Sequence, residues 1–292
     1  VRFRIQPPLN IMKIGIIGYG FVGKALSFGL KDDVEICKID PKLNSEINDL
    51  IEFKPDAVFI CVPTPMKDDA SQDISLLKSV ISEFQSLDLN CLVIIKSTVL
   101  PNYIEEIESL IPDFIYNPEF LREKYADQDF INSELIIFGG NKVSAKYLAN
   151  IYKNFTKCIC EDYIYTDIKA ASIMKYTINS FLATKVSFFN EINALFKKSG
   201  TNETWNNFIS ALVKDKRIGN SHMDVPGHDG RLGFGGACLP KDSNAFLYYS
   251  ESLGQPLNIL KTAINTNNII RASYNEPTRR ELEQNIKFKG DS

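Results

Sequence analysis

The chain has 292 residues, 44% of them apolar and 24% charged, with a formal net charge of −3. That length and composition suit a globular protein of one large domain or two ordinary ones. The mild acidity, without any dense Lys/Arg block, excludes non-specific nucleic-acid binding, and no apolar run approaches the roughly 20 residues that span a membrane.

The opening "VRFRIQPPLNIMKIGIIGYG" does not read as a signal peptide, because its apolar segment runs straight into a glycine-rich turn without a small-residue cleavage site. Met12-Lys13 reads as the natural start, and the first eleven residues as an extension. From Met12 on, β-branched runs at 13–18, 35–40, 57–62, 91–97, 114–117 and 134–140 alternate with stretches of helical periodicity such as 73–87. Near-continuous apolar runs indicate strands covered on both faces, as in a parallel sheet. The alternation predicts an α/β domain over 12–166 with a doubly wound, mostly parallel sheet.

"GYGFVG", Gly18 to Gly23 with Phe21 and Val22 between the second and third glycines, follows the first strand and opens a helical stretch. In that position Gly18 permits the tight turn, Gly20 lets a pyrophosphate approach, and Gly23 lets helix and strand pack closely. The helix N-terminus then faces the diphosphate. Asp40 ends the next strand, where an acid binds the ribose 2′-hydroxyl and repels a 2′-phosphate. The pattern predicts a Rossmann-like domain that binds NAD in preference to NADP. Taken alone, Asp40 reads equally as a turn aspartate beside Pro41.

The six cysteines are even in number, but Cys37, Cys61 and Cys91 sit in strand-like runs, which favours reduced thiols and a cytoplasmic location. With only His222 and His228 as imidazoles and no CxxC, no metal site is expected.

After Asp167 the pattern turns helical. Residues 167–275 predict an all-helical domain with one long central helix, opened by Asp167 and stopped by Gly200, and further helices at 204–215 and 256–271. Lys175 and Asn179 fall four apart on one face of the long helix. Asn190 lies at a similar angle but roughly 16 Å further along the axis, so it is structural or part of a neighbouring contact. "LPKDSNAFLYYSESLG" reads as a helix with Pro240 in its first turn and Gly254 as its stop, which puts Cys238 of "GFGGACLPKD" at a helix N-terminus, a setting that lowers thiol pKa. Asp242 fits a first-turn acid favoured by the helix dipole. The polar residues 276–292 read as a tail, either frayed or part of something truncated.

"GYGFVG", "CVPTP" (61–65), "KSTV" (96–99), "NPEFLRE" (117–123), "KYTINSFLATKVSFFNEI" (175–192), "RIG" (217–219) and "GFGGACLPKD" (233–242) occur in the order found in the UDP-glucose 6-dehydrogenases and related nucleotide-sugar dehydrogenases, which the chain resembles over about residues 12 to 275. The resemblance implies oxidation of a sugar C6 alcohol to a carboxylate by two NAD+, through a cysteine-bound thiohemiacetal and thioester. Cys238 would be the nucleophile. Lys175 and Asn179 would hold the C6 oxygen, and Asp242 would position the hydrolytic water and balance Lys175. Glu119 would act near the sugar as base or water-holder. Phe120 and Leu121 would contact the sugar through their backbone, and Phe234, Gly235 and Gly236 would form the wall of the hexose site. Pro63, Thr64, Ser97, Thr98 and Glu123 would lie along the cofactor, with Thr98 and Glu123 near the nicotinamide and its water network. Arg217 would reach a substrate phosphate of an adjacent subunit, which implies a homodimer built on the long helix.

The sequence departs from that family in two respects. Lys124 stands where a glycine usually follows "LRE", and nothing up to Ser292 resembles the strands of the family's third, uridine-binding domain. A fragment, a short enzyme and an inactive NAD-binding remnant all fit that departure. A two-domain hydroxyacid dehydrogenase, which needs the helix lysine but no cysteine, is a further alternative.

Overall fold

A computed structural model describes residues 11–288. Apart from Ile11, the expected N-terminal extension lies outside the described residues, as does the end of the expected tail, 289–292. The described chain divides into two compact units, 11–64 with 73–175 and 65–72 with 176–288.

The first unit is a βα alternation: β1 Met12–Ile17, α1 Phe21–Gly29, β2 Val34–Ile39, α2 Asp49–Phe53, β3 Ala57–Ile60, α3 Ser75–Gln85, β4 Leu92–Ile95, α4 Ile104–Leu110, β5 Ile115–Tyr116, α5 Ala126–Ile131, β6 Ile136–Gly140, α6 Lys142–Phe155 and β7 Tyr163–Thr166. Among the described residues the strands form one sheet in the order β2-β1-β3-β4-β5-β6-β7. All pairs are parallel except β5 with β6. Successive side chains feed two cores. Ile14, Ile16, Ala57, Phe59, Leu92 and Ile94 pack on the face that carries Leu26 and Leu148. Val58, Ile60, Val93 and Ile95 pack on the face that carries Leu77, Ile81 and Ile107. Each of these Val, Leu, Ile and Phe side chains contributes about 1.5–3 kcal/mol by leaving water. Helices on both faces are why these strands read as unbroken apolar runs. The strand β7 carries no such signal: it is an edge strand, with Ile164 and Tyr165 exposed. The order reverses at β1, which pairs with β2 on one side and β3 on the other. A crevice at the carboxyl ends of β1 and β3 is where such sheets bind ligands.

The long helix is α7, Ile168–Lys198. Asp167 Oδ1 accepts from Ala170 N at 2.8 Å, and Gly200 ends the helix with φ +70. The sequence reading places a domain boundary at 166/167, whereas the units divide after Lys175. The first turns of α7 belong to the sheet unit, since Ala171 joins its core and Ser172 Oγ donates to Val99 O at 2.6 Å.

The second unit holds the rest of α7 with α8 Trp205–Leu212, α9 Leu239–Ser252, α10 Asn258–Ala272 and α11 Arg279–Glu283. Its core joins Ala183, Phe234, Leu260 and Ile264. In the described part of that tail, the helix α11 corrects the expectation of fraying. Thr278 and Glu281 form a reciprocal capping box, and Glu281 and Ile286 are buried.

Candidate active site

In the first unit, the glycine loop is shaped by three different constraints. Gly18 has φ +90, and a Cβ there would stand 2.8 Å from the Cys61 backbone. A Cβ on Gly23 would stand 2.3 Å from Gly18 O, so helix and strand approach to that limit. A Cβ on Gly20 would meet nothing within 4 Å. Gly20 is also the N-cap of α1, where no side chain caps the helix and no acid occupies the first turn. The first-turn N–H groups and their partial positive charge therefore suit an anion. Asp40 accepts from Tyr19 N and Lys42 N, both as a turn aspartate and as a brace of the glycine loop. Each carboxylate oxygen keeps a second lone pair, which suits a ribose hydroxyl. These residues fit a dinucleotide.

The ends of β3 and β4 are cross-linked. Ser97 Oγ donates to Val62 O at 2.7 Å and Thr64 Oγ1 to Thr98 O at 2.8 Å, while Pro63 is exposed. The same segment buries Lys96, which the sequence reading missed although it opens "KSTV". Its Nζ donates to Asn117 Oδ1 at 2.9 Å and to Asn117 O and Tyr152 Oη at 3.3 Å. Burial, first of all, and the nearby Lys175 push its pKa down to about 8, against the pull of Cys61 and Glu119. Nothing but its place in an apolar strand could have pointed to it.

Asn117 begins the turn that carries Glu119. Glu119 Oε2 accepts from Leu121 N at 2.6 Å, and Oε1 lies 3.3 Å from Lys175 Nζ. Lys175 also donates to the Glu119 carbonyl and lies 5.1 Å from the Phe120 ring centre. Both side chains are buried, so this pair carries two buried charges that compensate each other. Glu123 is exposed on the next turn.

In the second unit, Asn179 Nδ2 donates to Asp242 Oδ2 at 2.6 Å, and Lys241 Nζ holds Asp242 Oδ1 at 2.5 Å. The sequence reading did not single out Lys241, though it stands beside Asp242 in "LPKD" and pairs with it here. Cys238 is the N-cap residue of α9, half-buried, with its carbonyl accepting from Asp242 N at 2.9 Å. Burial drives the pKa of Cys61 and Cys91 to about 12 and raises those of Cys37 and Cys158. None of the six cysteines forms a disulfide.

The loop before Cys238 turns through Gly233 and Gly236, with φ +76 and +78. The Phe234 ring is packed in the core of this unit, so what it can offer a ligand is backbone. Asn190 holds the loop by accepting from Gly233 N at 3.0 Å, a structural role. Arg217 is exposed and forks onto Asp215. Among the described residues no cluster of His, Cys, Asp or Glu could hold a metal ion, and no helix is long and apolar enough to cross a membrane.

Residues 29–156 match the NAD binding domain of the UDP-glucose/GDP-mannose dehydrogenase family, and 169–269 match its central domain. The chain is 39% identical over 196 residues to a UDP-glucose 6-dehydrogenase of Rickettsia bellii, covering 64% of this chain and 43% of that protein. It is 35% identical over 224 residues to one of Rickettsia conorii, covering 73% and 49%. The chain thus spans about half the length of these curated relatives. A solved UDP-glucose dehydrogenase from the archaeon Pyrobaculum islandicum superposes with a TM-score of 0.74 at 26% identity, over 88% of this chain and 68% of that one. The chain belongs to the UDP-glucose/GDP-mannose dehydrogenase family.

Proposed function

We propose that this chain oxidises the C6 alcohol of a nucleotide sugar to a carboxylate, using NAD+, with UDP-glucose, the sugar in its relatives' names, as substrate. The observation that carries the reading is Cys238 at the N-cap of α9, with Asp242 one turn on and fixed between Asn179 and Lys241. A thiol at a helix N-terminus beside an oriented carboxylate is what covalent capture and hydrolysis require.

Gly18, Gly20, Phe21, Val22, Gly23 and Asp40, with Pro63, Thr64, Ser97, Thr98 and Glu123, hold the cofactor. NAD+, when bound, supplies the hydride acceptor, one molecule for each of two oxidations. Lys175 and Asn179 stabilise the alkoxide and later the oxyanion by charge and hydrogen bonding. Glu119 holds Lys175 and takes part in proton transfer, while the backbones of Phe120, Leu121, Phe234, Gly235 and Gly236 contact the sugar. After the first oxidation Cys238 Sγ bonds to C6 of the aldehyde, whose oxygen takes a proton to give a thiohemiacetal. Loss of hydride and of that hydroxyl proton leaves a thioester. Water, oriented by Asp242, attacks C6, the C–S bond breaks, and the thiolate and the acid are released.

The partner is a second copy of the chain, and the location is cytoplasmic, where thiols stay reduced. Phe181, Phe188 and Leu195 are 64%, 54% and 64% exposed and recur every seven residues along α7, a stripe suited to packing against the same helix of another copy. Arg217 would serve the partner's substrate phosphate. The test is the NADH formed per mole of UDP-glucose at completion. Two equivalents, abolished in Cys238→Ala, are expected. Protein that binds NAD+ but forms no NADH overturns the reading.

A further inference from the structure

The cysteine loop is held by side chains from three helices of the second unit, each meeting a different backbone group. Asn190 accepts from Gly233 N, and Asn267 accepts from Phe234 N at 2.6 Å while donating to Phe234 O at 3.0 Å. The third contact comes from the C-terminal segment: Glu281 Oε1 accepts from Gly236 N at 3.3 Å. The same oxygen takes Arg271 Nη2 at 2.5 Å, and Arg271 Nη1 reaches Asp229 at 2.8 Å. The Arg271 and Glu281 side chains are 1% and 0% exposed. They fill the place a side chain would take at residue 235, where a Cβ would stand 2.0 Å from Arg271 Nη2 and 2.5 Å from Glu281 Oε1. Glycine at 235 is thus explained by this ion pair.

The segment that brings Glu281 here is itself anchored. Glu281 Oε2 closes the capping box on Thr278 N at 2.6 Å. Gln284 O accepts from Met66 N, Asn285 Nδ2 donates to Met66 O, and Lys287 pairs with Asp68 at 2.7 Å. Burial alone would raise the Glu281 pKa, but the Thr278 amide and the Arg271 guanidinium outweigh it and hold the carboxyl below its ordinary value. The carboxylate is therefore charged at neutral pH, and a hydrogen bond to a charged acceptor is the stronger kind.

We propose that the segment 278–287 is a clamp on the cysteine loop, in which Glu281, acting through Arg271 and the Gly236 amide, is a positioning residue for Cys238. The proposal rests on Cys238 as the nucleophile. The turn at Gly236 leads within two residues to the N-cap of α9, so the loop's geometry sets where the thiol stands relative to the helix N-terminus. Releasing Glu281 loosens that turn, and the thiol loses part of the helix-terminal field.

The test compares Glu281→Gln, which keeps an acceptor oxygen, with Glu281→Ala. In both, Asp229 still pairs Arg271, which favours a folded chain. The readout is alkylation of Cys238 by iodoacetamide as a function of pH, with the modified residue identified by mass spectrometry, alongside circular dichroism and NAD+ affinity. Both variants lose the same negative charge, which by itself lowers the Cys238 pKa, so the difference between them reads the clamp. In Glu281→Ala the expected apparent Cys238 pKa lies about one unit above that in Glu281→Gln, with neutral-pH alkylation about tenfold slower, the matching loss of thiolate, and NAD+ affinity unaltered in both. Equal alkylation in the two folded variants, or faster alkylation in Glu281→Ala, overturns the clamp. Turnover by Cys238→Ala reports separately on the nucleophile, so either idea can fail alone.

Discussion

Asn179 on α7 donates a 2.6 Å hydrogen bond to Asp242 on α9, joining residues 63 apart in the chain. The bond takes one carboxylate oxygen and leaves the other to Lys241, so Asp242 is both buried and fixed in orientation. An orienting partner on each oxygen is what a carboxylate that aims a water needs.

Asp242→Asn keeps the shape but removes the charge. The expected result is a fall in kcat of about 10²–10⁴-fold, the usual worth of a positioned acid or base, with NAD+ affinity unaltered. Steady-state NADH production measures it, and turnover near the wild-type value would remove Asp242 from the chemistry.

Gly20 and Gly23 separate cofactor binding from folding. Gly20→Ala puts a methyl where nothing stands within 4 Å, so the melting temperature should hold while NAD+ affinity drops, because the methyl occupies the diphosphate's approach. Gly23→Ala drives a methyl against Gly18 O and should cost at least about 1–3 kcal/mol of stability. Thermal melts and NAD+ titrations check both, and equal NAD+ affinity in Gly20→Ala and wild type would deny that loop its ligand.

Lys96 predicts an alkaline signature. Its pKa is about 8 in the folded chain against 10.5 for the unperturbed group. Below pH 8 both states hold the proton and the full burial penalty opposes folding. Between 8 and 10.5 the unfolded chain binds more protons, so this group makes stability rise with pH, by about 3 kcal/mol in all. In Lys96→Met that rise should vanish, as read from urea unfolding at several pH values. A parallel pH profile in the variant would show that Lys96 is not depressed.

Phe188→Asp tests the exposed stripe. A charge in the centre of Phe181, Phe188 and Leu195 should shift the chain toward monomer without unfolding it, since Phe188 is exposed within a single chain. Sedimentation equilibrium gives the answer, and a wild type that is monomeric at all concentrations would leave the stripe without its second copy.

Much of the fold was legible because it rests on local periodicity. Strands β1 to β6 announced themselves as apolar runs, since helices cover both faces. The edge strand β7 stayed silent because it is only four residues long and none of them is buried. The long helix was bracketed by Asp167 and Gly200, each with a local physical reason. The tail was misread because its polarity hides a structural use: Glu281 is buried by a partner ten residues away, and no local pattern marks that pairing.

The sequence by itself determined strands β1 to β6, the long helix, the glycine spacing and the placement of Cys238 at a helix start, because each depends on neighbours within a turn or two. It also carried the family resemblance that the matches bear out. Only the tertiary structure decided which charges meet. Lys175 met Glu119, Asp242 met Lys241 and Asn179, and Lys96 was buried against Asn117. Such pairings are set by the packing of distant segments, where the cost of burying a charge selects a partner that chain spacing does not specify.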